Sequence, residues 1–253
     1  METKFIHRIS KGASFNQIYI PKSAENLFKA GALVEVRLIE TPLVYSKNLK
    51  LTDFKKRLIQ DILNSLQEFE EIIQASIMGS FLTNNADYND IDIVLISKKD
   101  ISEKVYSFLT EKFSLKFHII SLQREQFNKL IKSDPLTRSM FYYYASTSEI
   151  TLPKKEIDKT HLNFLLMLPE DLLSLKTLSK TYYDSLRRLI AIERFLKNKD
   201  ADPLKTLAEL KSLLGEELFA QLKNKEQIEN KELDKIKKLI SNKLKNVRSL
   251  LNE

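Results

Sequence analysis

Between Ile72 and Ser97 the chain reads IIQASIMGSFLTNNADYNDIDIVLIS. An apolar strand runs into a Gly79-Ser80 turn, a polar loop follows, and Asp90-Ile91-Asp92 opens a second apolar strand. Side chains alternate across a strand, so Asp90 and Asp92 share one side, two residues apart. Two carboxylates aimed the same way are costly unless a cation sits between them. Mg²⁺ suits the place, because it is held by one or two carboxylates together with substrate phosphates. A Gly-Ser turn on the neighbouring strand brings backbone N–H groups and a hydroxyl toward those phosphates. The spacing therefore predicts Asp90 and Asp92 as metal ligands and Gly79 and Ser80 as phosphate-binding residues.

This combination of Gly-Ser, polar loop and acid–apolar–acid, each part attached to an apolar strand, resembles the signature of the DNA polymerase beta-like (minimal) nucleotidyltransferase superfamily. The resemblance implies a small mixed β-sheet with packed helices. It also implies Mg²⁺-dependent transfer of NMP from a nucleoside triphosphate to an acceptor hydroxyl on a protein, an RNA or a small molecule, with Asp90 and Asp92 catalytic. Active members usually carry a third carboxylate on a later strand. The corresponding strand here is Leu115 to Ser121, and its tail HIISLQREQF is similar to that of small archaeal and bacterial nucleotidyltransferases. The position of the acid holds Lys116. An ammonium cannot ligate Mg²⁺ and repels it at close range, but it can bind a phosphate as a point charge, so Lys116 joins the nucleotide-binding set. Relatives often carry an arginine in the loop, whereas Phe81 to Asn89 has none and Asp87 is its one charge. His118 points the same way as Lys116 and is the candidate base, against the competing reading of a structural histidine. The alternative function is a catalytically impaired nucleotidyltransferase fold acting as a nucleotide-binding or DNA-binding regulatory, antitoxin-like protein. Lys116 separates the two: a further acid such as Glu111 or Asp134 folding back on the aspartates favours the enzyme.

Composition sets outer bounds. The chain has 253 residues, 43% of them apolar, and no Cys, which excludes a disulfide framework and a cysteine zinc site. His7, His118 and His161 lie far apart in sequence. No apolar run reaches the roughly 18 residues of a membrane span, and METKFIHRIS lacks a signal-peptide core. A cytoplasmic protein with no membrane partner is expected. The formal charge of +7 favours phosphate-bearing partners, although Lys-rich solvated helices account for it equally.

The expected fold class is α+β, in three parts. Residues 1–45 form a short β-rich module, with strands at 5–9, 17–20 and 33–39 and a capped helical turn at 23–28. The string IYIPKSAENLFKAGALVEVRLI resembles the swapped-hairpin AbrB/MazE-like half-barrel. That resemblance implies a homodimer and DNA contacts from Lys4, Arg8 and Lys11. A β-appendage completing the neighbouring sheet reads equally well. Residues 46–154 form the nucleotidyltransferase-like domain. Its helices are expected at 51–73 (Thr52 as N-cap, with Lys55 where a capping-box Glu would stand), 102–113 and 124–131, and Tyr142, Tyr143 and Tyr144 either stack on a base or pack as core. Residues 155–253 form an all-α helical bundle. Pro169-Glu170-Asp171 reads as a helix start, Asp200 to Pro203 as a break, and Gly215 as a helix end. This array resembles the HEPN-type or substrate-binding domains that accompany small nucleotidyltransferases. Arg187-Arg188 lacks the following His of the active HEPN ribonucleases, which argues against a nuclease.

Overall fold

The computed structural model describes residues 5–36, 39–47, 49–83, 88 and 90–252. The chain falls into two compact units, Met1–Ile39 and Glu40–Glu253. The first is sparsely ordered by packing. A two-residue antiparallel ladder pairs β1 (Ser10–Lys11) with β2 (Asn16–Gln17). Gly12 makes the hairpin possible: its N–H donates to the Phe15 carbonyl at 3.0 Å, and a Cβ there would meet that oxygen at 2.5 Å. The expected helical turn is a 3₁₀ turn at Lys22–Ala24, prolonged by Phe28 N–H donating to the Ala24 carbonyl at 3.1 Å. Residues 37–38 lie outside the described residues, and residues 5–9, 18–20 and 33–36 form no strand. Apart from Phe5, which packs edge-on against Phe28, their apolar side chains lie exposed, and an alternating pattern becomes a strand only when its apolar face finds a surface to bury against. Ala24 is the one buried residue described in this unit.

The second unit begins with β3 (Val44–Tyr45) and α1 (Asp53–Ser65), followed by β4 (Ile72–Met78), β5 (Ile91–Ser97), α2 (Ser102–Phe113), β6 (Phe117–Leu122), α3 (Arg124–Ser133), α4 (Pro135–Met140) and β7 (Tyr144–Ser146). The five strands make one mixed sheet in the order β3-β7-β4-β5-β6. β4 runs antiparallel to β5 and β7, and β5 runs parallel to β6 through the α2 crossover. Alternation divides the sheet's two faces. Ile91, Ile93 and Leu95 join Ala75 and Ile77 in a core with Ile59, Ile62 and Leu63 of α1 and Val105 and Leu109 of α2. Val94 and Ile96 join Met78 in a second core with Phe127 and Ile131 of α3. Thr52 caps α1, its hydroxyl accepting from Lys55 N–H at 3.3 Å. That helix ends at Ser65, short of the expected 73, because Ile72 already belongs to β4.

Five helices complete the unit: α5 (Lys159–Ser174), α6 (Ser179–Leu196), α7 (Pro203–Leu214), α8 (Glu216–Asn224) and α9 (Asn230–Asn252). They share one apolar core built on Leu162, Leu166, Tyr182, Leu186, Ile190, Ile236 and Ile240, among others. The breaks at Asp200–Pro203 and Gly215 fall where expected. Pro169 does not start a helix; it lies inside α5. Proline there removes the N–H that would bond the Leu165 carbonyl, and the Arg188 guanidinium donates to that carbonyl instead, at 3.4 Å.

Candidate functional site

Gly79 ends β4 with φ +81° and ψ −157°, a conformation that only glycine adopts without strain. It leads into a 3₁₀ turn, Ser80–Leu82, with Leu82 N–H donating to the Gly79 carbonyl at 3.2 Å. Asp92 lies opposite Met78 in the β4–β5 ladder, so its side chain reaches across the end of β4. A Cβ on residue 79 would stand 2.2 Å from Asp92 Oδ2. The glycine is thus required twice over, by its backbone angle and by the carboxylate that occupies the space of a side chain.

His118 is Asp92's parallel neighbour on β6, and its Nδ1 lies 3.0 Å from Asp92 Oδ1. Asp92 accepting from Nδ1–H leaves Nε2 as the basic nitrogen. Nε2 has no partner among the described residues, and the His118 side chain is 58% exposed. Alternation puts Asp92 and His118 on the α3 face of the sheet, with Val94, Ile96 and Ile120 further along. Asp90 precedes β5 by one residue and is half-buried. Burial first, and then the like charge of Asp90, push the Asp92 carboxyl above its ordinary range, while the His118 hydrogen bond pulls it down. Among the described residues no lysine or arginine pairs with either aspartate.

Lys116 follows the same strand entry, and its carbonyl accepts Ile91 N–H at 3.0 Å, closing the β5–β6 ladder next to Asp90. Its side chain is exposed and makes no ion pair among the described residues. The two alternative acids are placed elsewhere. Glu111 is exposed on α2. Asp134 is buried at the start of α4, where Oδ1 accepts Thr137 N–H at 2.6 Å and Oδ2 meets His161 Nε2 at 2.6 Å. Ser80 is exposed on the turn beside Gly79. Arg8 and Lys11 are exposed in the N-terminal unit, while Lys4, Asp87 and Asn89 lie outside the described residues.

The sequence reading missed Lys55. From the first turn of α1 its ammonium donates to the carbonyls of Phe81 at 2.7 Å and Thr83 at 2.9 Å. It also stands over the rings of Phe81 and Tyr88, 5.1 Å from each centroid. These carbonyls lie at the end of the 3₁₀ turn. Lys55 therefore fastens the segment that follows Gly79, and burial lowers its pKa. The only signal in sequence was a lysine in the capping-box position.

Two repelling carboxylates beside a close-approaching glycine suit a divalent cation that arrives with phosphates attached. Among the described residues no group of three His, Cys, Asp or Glu side chains is arranged to hold a metal by itself. The donor set among the described residues therefore fits one ion shared with a ligand. A scan against protein-family models and a search of curated proteins each return no match.

Proposed function

We propose that the sheet end formed by Gly79, Ser80, Asp90 and Asp92 binds a nucleoside triphosphate with Mg²⁺, in the manner of a nucleotidyltransferase that passes NMP to an acceptor hydroxyl. The observation that carries this reading is the Asp92 carboxylate lying against Gly79, with Asp90 close enough to raise its pKa. Such a pair holds excess negative charge that a metal would neutralise. Asp90 and Asp92 would hold the ion, which would offset charge on the pyrophosphate leaving group. Gly79 and Ser80 would offer the backbone and hydroxyl of the turn to the phosphates, and Lys55 would keep that turn in place. His118 is held by Asp92 in the tautomer that leaves Nε2 free to take a proton from an acceptor hydroxyl.

Lys116 favours a second reading, nucleotide binding with little or no transfer. With a lysine where a third carboxylate would stand, a second metal has no ligand from that strand, and Asp134 is engaged with α4 and α5. The DNA-binding and homodimer readings of residues 1–45 remain proposals resting on the resemblance of that segment. Calorimetric titration of the four NTPs, with and without Mg²⁺, on wild type and Asp92→Asn tests the site. Mg²⁺-dependent binding that disappears in Asp92→Asn is the expected result. An absence of binding by wild type overturns the reading. Labelled-NTP transfer by wild type and by Lys116→Asp then separates enzyme from binding module: a gain of transfer in the variant supports the impaired reading.

A further inference from the structure

A cavity of about 340 Å³ lies away from the sheet end. It is lined by α4 (Arg138, Ser139), Tyr142, the 152–155 segment and the α6–α7 connection. Its charge is one-sided. Arg138, Lys155, Arg194 and Lys199 stand against the single carboxylate of Asp200. That carboxylate is already neutralised, since Asp200 pairs with Arg194 at 2.5 Å and with Lys205. Arg138, Lys155 and Lys199 have no carboxylate partner among the described residues.

The first two are nevertheless held in place. One Arg138 nitrogen, Nη1, donates to the carbonyls of Ile131 at 2.8 Å and Pro153 at 3.0 Å, which leaves Nη2 and Nε with no acceptor among the described residues. Lys155 donates to the Phe195 and Leu196 carbonyls at the end of α6, at 2.5 and 3.3 Å, and stands over the Phe195 ring. Burial draws both groups below their ordinary pKa, and Arg138 adds to the effect on Lys155. Two cations are thus pre-positioned by backbone carbonyls, which orient them without cancelling their charge. The rest of the lining is mixed: Ser139, Asn198 and Thr206 are polar, while Leu152, Phe195 and the Tyr142 ring form an apolar, partly aromatic side.

We infer that this cavity is a binding site for a small phosphate monoester with a planar apolar body, its phosphate held by Arg138, Lys155 and Lys199 and its body against Tyr142 and Phe195. The surplus of three unpaired cations suits a multiply charged phosphate better than a single carboxylate. The volume lies within the range of small-molecule pockets, about 300–1,000 Å³. The site does not depend on the sheet-end reading, since it shares no residue with it.

Titration calorimetry of the full chain with phenyl phosphate, inorganic phosphate and benzoate tests it. Saturable one-to-one binding of phenyl phosphate is expected, tighter than that of inorganic phosphate or of benzoate. Lys199→Glu, at an exposed side chain with no partner among the described residues, should weaken it at least about tenfold, as removal of one charge-assisted contact does. Lys155→Gln should do the same, with its fold checked by circular dichroism. Asp92→Asn should leave the binding unchanged. Failure of wild type to bind phenyl phosphate overturns the inference, as does binding that Lys199→Glu leaves intact. Binding lost in Asp92→Asn also overturns it, because it assigns the phosphate to the sheet end.

Discussion

Two aspartate–histidine pairs in the same unit have similar contacts and opposite surroundings. At the sheet end, Asp92 meets His118 at 3.0 Å, with the histidine open to solvent. Between α4 and α5, Asp134 meets His161 at 2.6 Å, and the aspartate side chain is 7% exposed. Asp134 has both oxygens engaged, one by the Thr137 N–H that it caps and one by His161. His161 itself opens α5, its N–H bonded to Asp158 at 3.0 Å. The pair therefore links the starts of two helices. Asp92 offers one oxygen to His118 while the other lies against a glycine, beside a second carboxylate. A fully used carboxylate is structural; a crowded carboxylate without a countercharge is free to take a ligand.

The largest expected effect falls on the structural pair. Asp134→Ala removes an N-cap, worth about 1 kcal/mol, and leaves a part-buried histidine without its acceptor, which costs about 1–3 kcal/mol more. A loss of about 2–4 kcal/mol in urea unfolding is expected. A loss under about 1 kcal/mol would break the comparison, because Asp134 would then matter no more than an exposed cap.

Gly79→Ala comes next. A side chain at φ +81° is strained, and its Cβ would overlap Asp92 Oδ2. A loss of about 1–3 kcal/mol is expected from backbone strain alone. The double variant Gly79→Ala/Asp92→Ala sharpens the point, since removing the carboxylate should restore part of the loss. Simple additivity in this cycle would mean that the carboxylate does not press on residue 79. Lys55→Met should cost less, about 1 kcal/mol for lost hydrogen bonds to two carbonyls. Its signature would be faster amide exchange confined to the 80–83 turn.

Much of this site was legible because strand alternation is a local rule. Asp90 and Asp92 on one side and Gly79 at the turn follow from period-two patterns and punctuation, whereas His118 beside Asp92 depends on β6 pairing with β5, which only the family resemblance implied. Helix α2 was readable at both ends for a similar reason, with apolar spacing bounded by polar loops. Lys55 was not readable, because its partners lie 26 and 28 residues away and are backbone atoms. Pro169 misled for the same reason: the Arg188 contact that compensates for it belongs to another helix. The network joining Glu193, Lys243, Glu209 and Arg194 across α6, α7 and α9 was equally invisible, since each residue alone reads as a surface charge. In residues 1–39 the pattern promised strands, yet Ile6, Tyr19, Leu33 and Val36 stay exposed. Alternation states which face would be buried, and says nothing of whether a surface exists to bury it.

The smallest stability effect, and the most discriminating one, belongs to Asp92→Asn. Burial and Asp90 raise the Asp92 pKa above its ordinary 3.8. The native state therefore binds this proton more tightly than the unfolded chain does. The resulting stabilisation is complete below pH 3.8 and is lost as pH rises through the native pKa. At neutral pH the ionised carboxylate is a liability that the neutral amide of asparagine does not share. Asp92→Asn should match or slightly exceed wild type in unfolding free energy at pH 7, and its advantage should shrink as pH falls through the acid window. Mg²⁺ with NTP should reverse the order, because a metal stabilises the charged carboxylate and has less to hold in the variant. Wild type would then gain thermal stability on ligand addition and Asp92→Asn would not. If the variant were instead less stable at pH 7 without ligand, Asp92 would be held mainly by His118 and would resemble Asp134, and the distinction between the two pairs would fail.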